Sequence, residues 1–193
     1  MHRRFDVFAN DCTYGIIILF ISGGLGFAHI GRWNRDNPDE EYDNFTMAET
    51  EYIHPQFVED LATSFDFMLL KLTQQSSKAY IKLNENPDIP TGQRIDEVTA
   101  LGFGTISTNL EEYPSTLQQV ELTVISNNEC EKSKDPKYAD NYQGLISSDM
   151  LCAGDFGQDT CRGDSGGPLI LDGGSPDKDI VVGIVSWCVE WKY

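Results

Sequence analysis

The sequence predicts an all-β fold, either a sandwich or a barrel, and two observations indicate it. From Gly31 onward, short apolar runs alternate with turn signals at close intervals, which is typical of many short strands. Over the same residues no long helical period appears. With 193 residues, of which 40% are hydrophobic, the chain can form one sizeable domain or two small packed halves around a real core.

The predicted strands follow the apolar runs in order along the chain. They cover residues 30–33, 68–72, 98–103, 118–125, 168–171 and 180–187. Turn residues punctuate positions 34–39, 84–92, 135–136 and 172–179. A short helix is predicted over residues 127–132, with Asn127 as its N-cap.

Residues 14–30 form an apolar segment that has three interpretations. A membrane helix is disfavoured, because spanning takes about 20 apolar residues and this segment is shorter and holds four glycines. A signal peptide fits the basic start and the small residues near Gly26, but Asp6 and Asp11 precede the apolar run. Buried strands fit the β-branched residues 16–21, which Gly23-Gly24 ends. Strands are the preferred interpretation, and the other two stay open.

The chain is strongly acidic, with 31 Asp and Glu against 14 Lys and Arg and a net charge of −17. Such a surface repels nucleic acid and anionic lipid, so neither is an expected partner, and it attracts cationic substrates. Solubility alone would also account for this charge.

Five cysteines are too scattered along the chain for a zinc site, which would show close pairs. They favour disulfides in a secreted protein, and their odd number leaves at least one thiol without a partner in the chain. Asn44-Phe45-Thr46 is a glycosylation sequon, which matters only if the chain is secreted.

The segment Gly163-Asp164-Ser165-Gly166-Gly167 has the residue types that a serine nucleophile needs. A serine hydroxyl is a poor nucleophile and must be held exposed beside a base. Flanking glycines permit the tight turn that exposes it, and they let two backbone N–H groups converge where an oxyanion forms. This pattern predicts nucleophilic catalysis by Ser165.

The sequence around this motif resembles the catalytic-serine region of trypsin-like serine proteases. Residues 159–168 read Asp-Thr-Cys-Arg-Gly-Asp-Ser-Gly-Gly-Pro, and Met-Leu-Cys-Ala-Gly precedes them at 150–154. Further segments resemble the family in the right order, at residues 30–34, 66–72, 100–104, 117–130 and 183–187. The resemblance implies an all-β fold of two antiparallel barrels of the trypsin/chymotrypsin type, with the site in the cleft between them.

The same resemblance gives an expected domain organisation. Residues 1–29 match the family poorly, and residues 30–193 are the expected peptidase domain. Within it, about 30–110 would be the first barrel and about 111–193 the second. The first barrel is expected to be incomplete and the family's C-terminal helix to be missing, as in a chain truncated at both ends.

The resemblance also assigns roles to individual residues. Ser165 matches the nucleophile, and Gly163 and Ser165 match the two oxyanion-hole donors. Asp66 matches the triad carboxylate: it precedes Ser165 by 99 residues, against about 93 in the family template. Asp159 matches the base of the specificity pocket, where a buried carboxylate pairs with a substrate Arg or Lys. Ser186 and Trp187 match the strand that lines the substrate cleft.

Three further assignments concern the turn and the cysteines. Asp164 matches the residue that pairs with a new amino terminus after zymogen cleavage. Cys130 and Cys152 match a family disulfide, and Cys12 is expected to be free. Cys161 matches one cysteine of the pocket bridge; Cys188 is the only candidate partner, although it stands where the family normally has glycine.

The catalytic histidine is the residue that the resemblance does not supply. In the family template it lies about 45 residues before the aspartate, and counting back from Asp66 reaches Ile21. Ala28-His29 echoes the family's motif, but the strand that should follow then has no room. Ala9-Asn10-Asp11-Cys12 echoes it better, with Asp11 in place of histidine. A carboxylate with a reference pKa near 4 cannot hand the proton on as an imidazole does.

By family, the expected function is serine endopeptidase cleavage after Arg or Lys, with no cofactor and no metal. Expected partners are protein or peptide substrates that present Arg or Lys, and protein protease inhibitors. The alternative is a non-catalytic protease homologue or binding module, because no histidine occupies the base position. The expected location is extracellular, with a membrane-tethered protein as the alternative.

Overall fold

The computed structural model describes the protein at residues 9–10, 16–19, 27–46, 50–57, 64–92, 96–107, 112–133, 142, 144–155, 157–160 and 162–187. Within these residues the regular structure is twelve short strands and one four-residue helix. The all-β prediction is therefore confirmed.

The elements follow one another with short connections. The strands are β1 (Ala9–Asn10), β2 (Ile16–Leu19), β3 (Phe27–Ile30), β4 (Asp43–Thr46), β5 (Thr50–Ile53), β6 (Met68–Lys71), β7 (Lys82–Leu83), β8 (Glu97–Gly102), β9 (Gln118–Ile125), β10 (Cys152–Ala153), β11 (Pro168–Leu171) and β12 (Ile180–Ile184). The helix α1 (Asn127–Cys130) lies between β9 and β10.

The first half of the chain forms a four-stranded antiparallel sheet in the order β1-β2-β6-β5, and a separate β3-β4 hairpin pair. β6 lies inside the larger sheet and alternates in burial, with Met68 and Leu70 buried. This period of two is what a strand with one buried face requires. Asp66 comes two residues before β6, so the place of β6 in the sheet fixes the position of the Asp66 carboxyl group.

The remaining strands, β7 to β12, form a six-stranded sheet in the order β10-β9-β8-β11-β12-β7. Its core is a cluster of buried side chains from β8, β9 and β11, namely Val98, Ala100, Leu122, Val124 and Leu169. Val98 and Val124 are almost completely removed from water, which contributes roughly 1.5–3 kcal/mol for each side chain. β11 begins three residues after Ser165, so this sheet carries the predicted nucleophile.

Several predicted boundaries differ from the observed ones. The predicted strand 30–33 is wrong, because β3 ends at Ile30 and Gly31 turns the chain with φ 80°. β4 and β5 were not predicted, since their alternation of polar and apolar residues contains no continuous apolar run. β12 ends at Ile184, and residues 185–187 leave the strand toward Ser165.

The predicted cap of the short helix is also wrong by one residue. Ser126 is the N-cap, and its Oγ accepts a hydrogen bond from the N–H of Glu129 at 3.2 Å. Asn127 is the first helical residue, and its side chain instead donates to the carbonyls of Ser147 and Met150.

The apolar segment 14–30 contains β2 and β3 where the structure describes it, as the strand interpretation predicts. No helix in the described ranges is long and apolar enough to cross a membrane.

Candidate active site

The turn that carries Ser165 is shaped by glycines and by hydrogen bonds to Val185, the residue after β12. Gly163 and Gly166 have φ values of 100° and 89°, a region that residues with a Cβ rarely adopt. The Gly166 N–H donates to the Val185 carbonyl at 2.7 Å, and the Val185 N–H donates to Gly167 at 2.8 Å. Ser165 is left partly exposed at the tip, in the arrangement that a nucleophile needs.

A second set of contacts joins the turn to Gly104 and Thr105, which follow β8. The Gly104 N–H donates to Asp164 Oδ1 at 2.7 Å, and the Thr105 N–H donates to the Arg162 carbonyl at 2.9 Å. A Cβ built on Gly102 or Gly104 would overlap the Asp164 carboxyl group. These two glycines therefore make room for Asp164, and Asp164 fixes the backbone beside Ser165.

This packing predicts that Gly104→Ala lowers the free energy of unfolding by about 1–3 kcal/mol, the usual cost of overpacking. The added methyl group must displace the Asp164 carboxyl and break its bond to the Gly104 N–H. Urea denaturation measures the change. Gly154→Ala is the matched control, because a Cβ there meets no atom within 4 Å. Equal stability of the two variants would contradict the prediction.

The predicted oxyanion donors lie on the same turn. Tyr113 packs beside Gly163, where an added Cβ would come within 3.3 Å of its ring. Within the described residues, the N–H groups of Gly163 and Ser165 have no protein acceptor. Two such donors are what a substrate oxyanion requires. The contact of Tyr113 has no signal in the sequence and was not predicted.

Asp66 and Ser165 are linked through Ser186. The carboxyl group of Asp66 is buried, and Ser186 Oγ donates to Asp66 Oδ2 at 2.9 Å. Ser165 Oγ in turn donates to the Ser186 carbonyl at 3.4 Å. The structure thus brings Asp66, Ser165 and Ser186 together from two sheets. The resemblance placed Ser186 only in the substrate cleft, whereas its hydroxyl serves Asp66.

The backbone before Asp66 is strained and tied to the second half of the chain. Phe65 has φ 54°, which is rare for a bulky residue, and its carbonyl accepts from the Phe67 N–H at 2.9 Å. The Phe65 N–H donates to Asp149 Oδ2 at 2.9 Å. Ser147 Oγ donates to the other carboxylate oxygen of Asp149 at 2.6 Å. Asp149 therefore holds the segment that presents Asp66.

The pKa of Asp149 agrees with this anchoring role. Partial burial acts to raise the pKa of this carboxyl group, but the hydrogen bonds from Ser147 and from the Phe65 N–H outweigh it. The nearby His54 acts in the same direction as the hydrogen bonds, and the net pKa is lowered. Asp149 is thus held as a carboxylate acceptor. Sequence reasoning missed it, because an acidic residue in a loop usually has no such contact.

The two described histidines use their Nδ1 atoms as acceptors. His29 Nδ1 accepts from the Arg32 guanidinium at 2.9 Å, since an arginine can only donate. His54 Nδ1 accepts from the Gln56 N–H at 3.2 Å, and its ring stacks on Phe65. A triad histidine must donate from Nδ1 to the aspartate. Neither His29 nor His54 has that arrangement, and His2 lies outside the described residues.

The pairing of β2 with β6 fixes which residues lie opposite the segment after Asp66. β2 pairs with β6 so that Leu19 lies opposite Met68, two residues after Asp66. The next residues of the sequence, 20–26, read Phe-Ile-Ser-Gly-Gly-Leu-Gly and contain no histidine. Asp11 lies outside the described residues. Asn10 before it pairs with Ile16, which pairs with Lys71 at the other end of β6.

Asp159 is exposed, whereas the resemblance implies a buried carboxylate. Protein atoms nevertheless surround the carboxyl group closely enough that loss of hydration raises its pKa to about 6. A hydrogen bond from the Thr160 N–H acts to lower the pKa, and the nearby Asp164 carboxylate acts to raise it. Lost hydration disfavours the charged form of a carboxyl group, and a nearby cation favours that form. The raised pKa of Asp159 is therefore compatible with pairing to a cation.

Of the remaining predicted residues, the structure describes Trp187, Cys130 and Cys152. Trp187 is partly buried, and its ring lies 5.5 Å from that of Tyr142. Cys130 and Cys152 form a disulfide, as the resemblance implies. Cys12, Cys161 and Cys188 lie outside the described residues.

Comparison with known proteins finds relatives that agree with this geometry. The family model described as Trypsin matches residues 26–191. Kallikrein-8 of Homo sapiens is 35% identical over 159 residues, which cover 80% of this chain and 54% of that protein. Kallikrein-1 of Mus musculus is 37% identical over 148 residues, which cover 75% of this chain and 50% of that protein. The chain thus spans about half the length of these curated relatives.

A solved structure shows the same fold. It is described as neuropsin, a serine protease expressed in the limbic system of mouse brain. It superposes with a TM-score of 0.71 at 27% sequence identity, over 89% of this chain and 72% of that one. The expected trypsin/chymotrypsin type of two-barrel fold is therefore confirmed.

Proposed function

Because the chain belongs to the trypsin family of serine proteases, we propose that its cleft binds peptides through an Arg or Lys side chain that pairs with Asp159. This is the specificity of a serine endopeptidase that cleaves after Arg or Lys. The observations that support the proposal are the position of Asp159, six residues before Ser165 in the same segment, and the raised pKa of its carboxyl group. The acidic chain adds long-range attraction for such substrates.

In the proposed reaction, Ser165 Oγ forms a bond to the substrate carbonyl carbon and passes its proton to a base. The N–H groups of Gly163 and Ser165 stabilise the oxyanion that develops. The peptide C–N bond then breaks, the amine leaves with a proton, and water hydrolyses the acyl-enzyme. Asp66, whose Oδ2 accepts from the Ser186 hydroxyl, would orient a protonated imidazole. The Cys130–Cys152 disulfide supports an extracellular location for this chemistry.

A second candidate function is a non-catalytic homologue that binds basic peptides without cleaving them. The hydrogen bonds of His29 and His54 favour it, because both Nδ1 atoms accept where a triad histidine donates. Both candidate functions include the pairing of an Arg or Lys side chain of the peptide with Asp159. Binding experiments therefore test the specificity, and hydrolysis or labelling experiments test the catalysis.

Benzamidine, whose amidinium mimics an arginine side chain, should bind the chain with an affinity that falls below about pH 6. A proton on Asp159 competes with the amidinium, so the Kd should rise about tenfold per pH unit below the pKa of about 6. Asp159→Asn or Asp159→Ser should weaken binding roughly 10- to 100-fold at neutral pH, because a charged hydrogen bond contributes about 1.5–3 kcal/mol. Isothermal titration across pH 4.5–8 measures both effects.

Asp177→Asn is the matched control for this experiment. It removes the same charge from an exposed residue in the loop between β11 and β12. This variant should bind benzamidine as the unaltered chain does. Equal affinity of Asp159→Asn and the unaltered chain would overturn the proposed specificity. Preferred cleavage after Phe or Leu in a peptide library by an active form would do the same.

A further inference from the structure

The β3-β4 pair has one buried and one exposed face, and the register assigns side chains to each. Ala28 pairs with Phe45, and both are buried, at 1% and 4% exposure. His29 pairs with Asn44, so these two side chains lie on the opposite face. The ring of Tyr42, two residues before Asn44, lies 4.9 Å from the His29 ring, which agrees with this assignment. Asn44 itself is exposed.

Hydrogen bonds to Asp43 fix the register of β4, and this register keeps the Asn44 side chain on the exposed face. Asp43 Oδ2 accepts hydrogen bonds from Ser76 Oγ and the Ser77 N–H, each at 2.6 Å. Asp43 Oδ1 accepts from Ser77 Oγ at 2.9 Å. Together with the burial of Phe45, these bonds fix the register, since a slip by one residue would bury Asn44 and expose Phe45.

Asn44 begins Asn-Phe-Thr, the only Asn-X-Ser/Thr sequence in the chain with X other than proline. Its amide has no protein partner within the described residues, so attachment of a sugar there breaks no hydrogen bond of the fold. The Cys130–Cys152 disulfide is a second, independent sign of passage through an oxidising compartment, where this sequon is read.

We propose that Asn44 carries an N-linked glycan that projects from the exposed face of β4 beside His29 and Tyr42. In the transfer, Asn44 Nδ2 loses a proton and bonds to the anomeric carbon of a lipid-pyrophosphate-linked oligosaccharide. The bond from that carbon to the pyrophosphate breaks, and the lipid pyrophosphate leaves. The bulky, hydrophilic glycan covers the outer face of the hairpin, while the inner face remains packed through Ala28 and Phe45.

The test is to secrete the full chain from a eukaryotic cell behind a cleavable signal peptide. The signal peptide directs the chain to the compartment where sequons are glycosylated, whether or not the proposed function is correct. Peptide N-glycosidase F should shift the electrophoretic mobility and convert Asn44 to aspartate in the tryptic peptide. Asn44→Gln and Thr46→Ala should lose both signals. Thr46→Ser keeps the sequon and should retain them, which controls for a structural effect of changing Thr46.

Two outcomes would overturn the proposal. The first is an unshifted, unmodified Asn44 in secreted chain whose Cys130–Cys152 disulfide is intact. The second is a mobility shift that persists in Asn44→Gln, because the glycan would then be attached to another residue. Neither readout depends on peptide cleavage by this chain, so a failure of the glycan proposal is distinct from a failure of the proposed protease site.

Discussion

Folded chain of residues 1–193 should hydrolyse peptide amides after Arg or Lys about 10⁶-fold more slowly than a trypsin-family enzyme with a complete triad. Ser165 and Asp66 are linked through Ser186, but neither described histidine has the hydrogen bonds of a triad base. In this mechanism the triad acts as a unit, so the loss of the base costs about as much as the loss of all three residues. Oxyanion stabilisation and substrate binding alone leave a rate about 10³–10⁴-fold above that of the uncatalysed reaction in water.

The physical reason lies in the proton of Ser165 Oγ. Among the described residues, the hydroxyl donates to the Ser186 carbonyl at 3.4 Å, and a carbonyl cannot take the proton away. Asp66 accepts from Ser186 and belongs to the residues that would orient an imidazole. A carboxylate at an ordinary pKa near 4 is a weak general base for a hydroxyl, which is why the family places a histidine between them.

Labelling of Ser165 by a fluorophosphonate is the most sensitive measurement of this prediction, together with amide hydrolysis. The chain has only three histidines, so His2→Ala, His29→Ala and His54→Ala test every imidazole that it contains. Ser165→Ala gives the background. Circular dichroism and the Cys130–Cys152 disulfide report that each variant is folded.

Strong labelling of the unaltered chain would contradict the prediction, and the variants would then identify the base. Labelling that disappears in His29→Ala would mean that the Arg32 hydrogen bond to His29 Nδ1 gives way in the active form. Labelling that disappears in His2→Ala would assign the base to a residue outside the described part of the chain. Labelling that survives all three changes would require a base other than histidine.

The second sheet and its serine turn were largely predictable from the sequence. The predicted strands at residues 118–125 and 168–171 coincide with β9 and β11. In β9 apolar residues recur with a period of two, and β11 is a continuous apolar run, and both patterns indicate strands. The turn at Ser165 was predictable because glycine readily adopts the positive φ of positions 163 and 166, which residues with a Cβ rarely adopt.

The first half was less predictable, because its strands depend on contacts between distant residues. β5 contains Thr50, Glu51 and Tyr52, a pattern without a continuous apolar run, and it forms as a partner of β6. Likewise, nothing in the local sequence indicates that Asp149 accepts from Phe65, 84 residues away. Such tertiary hydrogen bonds have no period or motif, whereas the resemblance could locate Asp66 itself.

Removal of the Cys130–Cys152 disulfide should lower the free energy of unfolding by about 2–4 kcal/mol. The bridge joins the last residue of α1 to the first residue of β10, with a sequence separation of 22. It restricts the unfolded chain across this loop, and a loop of this length lies near the middle of that range. Both cysteines are buried in the native protein, so paired Cys130→Ala and Cys152→Ala changes avoid leaving a buried thiol behind.

Guanidinium denaturation of this double variant, beside the unaltered oxidised chain, measures the loss. β10 pairs with β9 through Cys152 and Ile125, so the backbone hydrogen bonds of this pair should persist and the native fold should be retained. Cys12→Ala is the control, because that thiol is expected to be free and its removal should leave the oxidised protein's stability unchanged. A loss below about 1 kcal/mol in the double variant, or peptide mapping that joins Cys130 to another cysteine, would contradict the prediction. A large loss in Cys12→Ala would instead place Cys12 in a bridge of its own, and the expected free thiol would then be wrong.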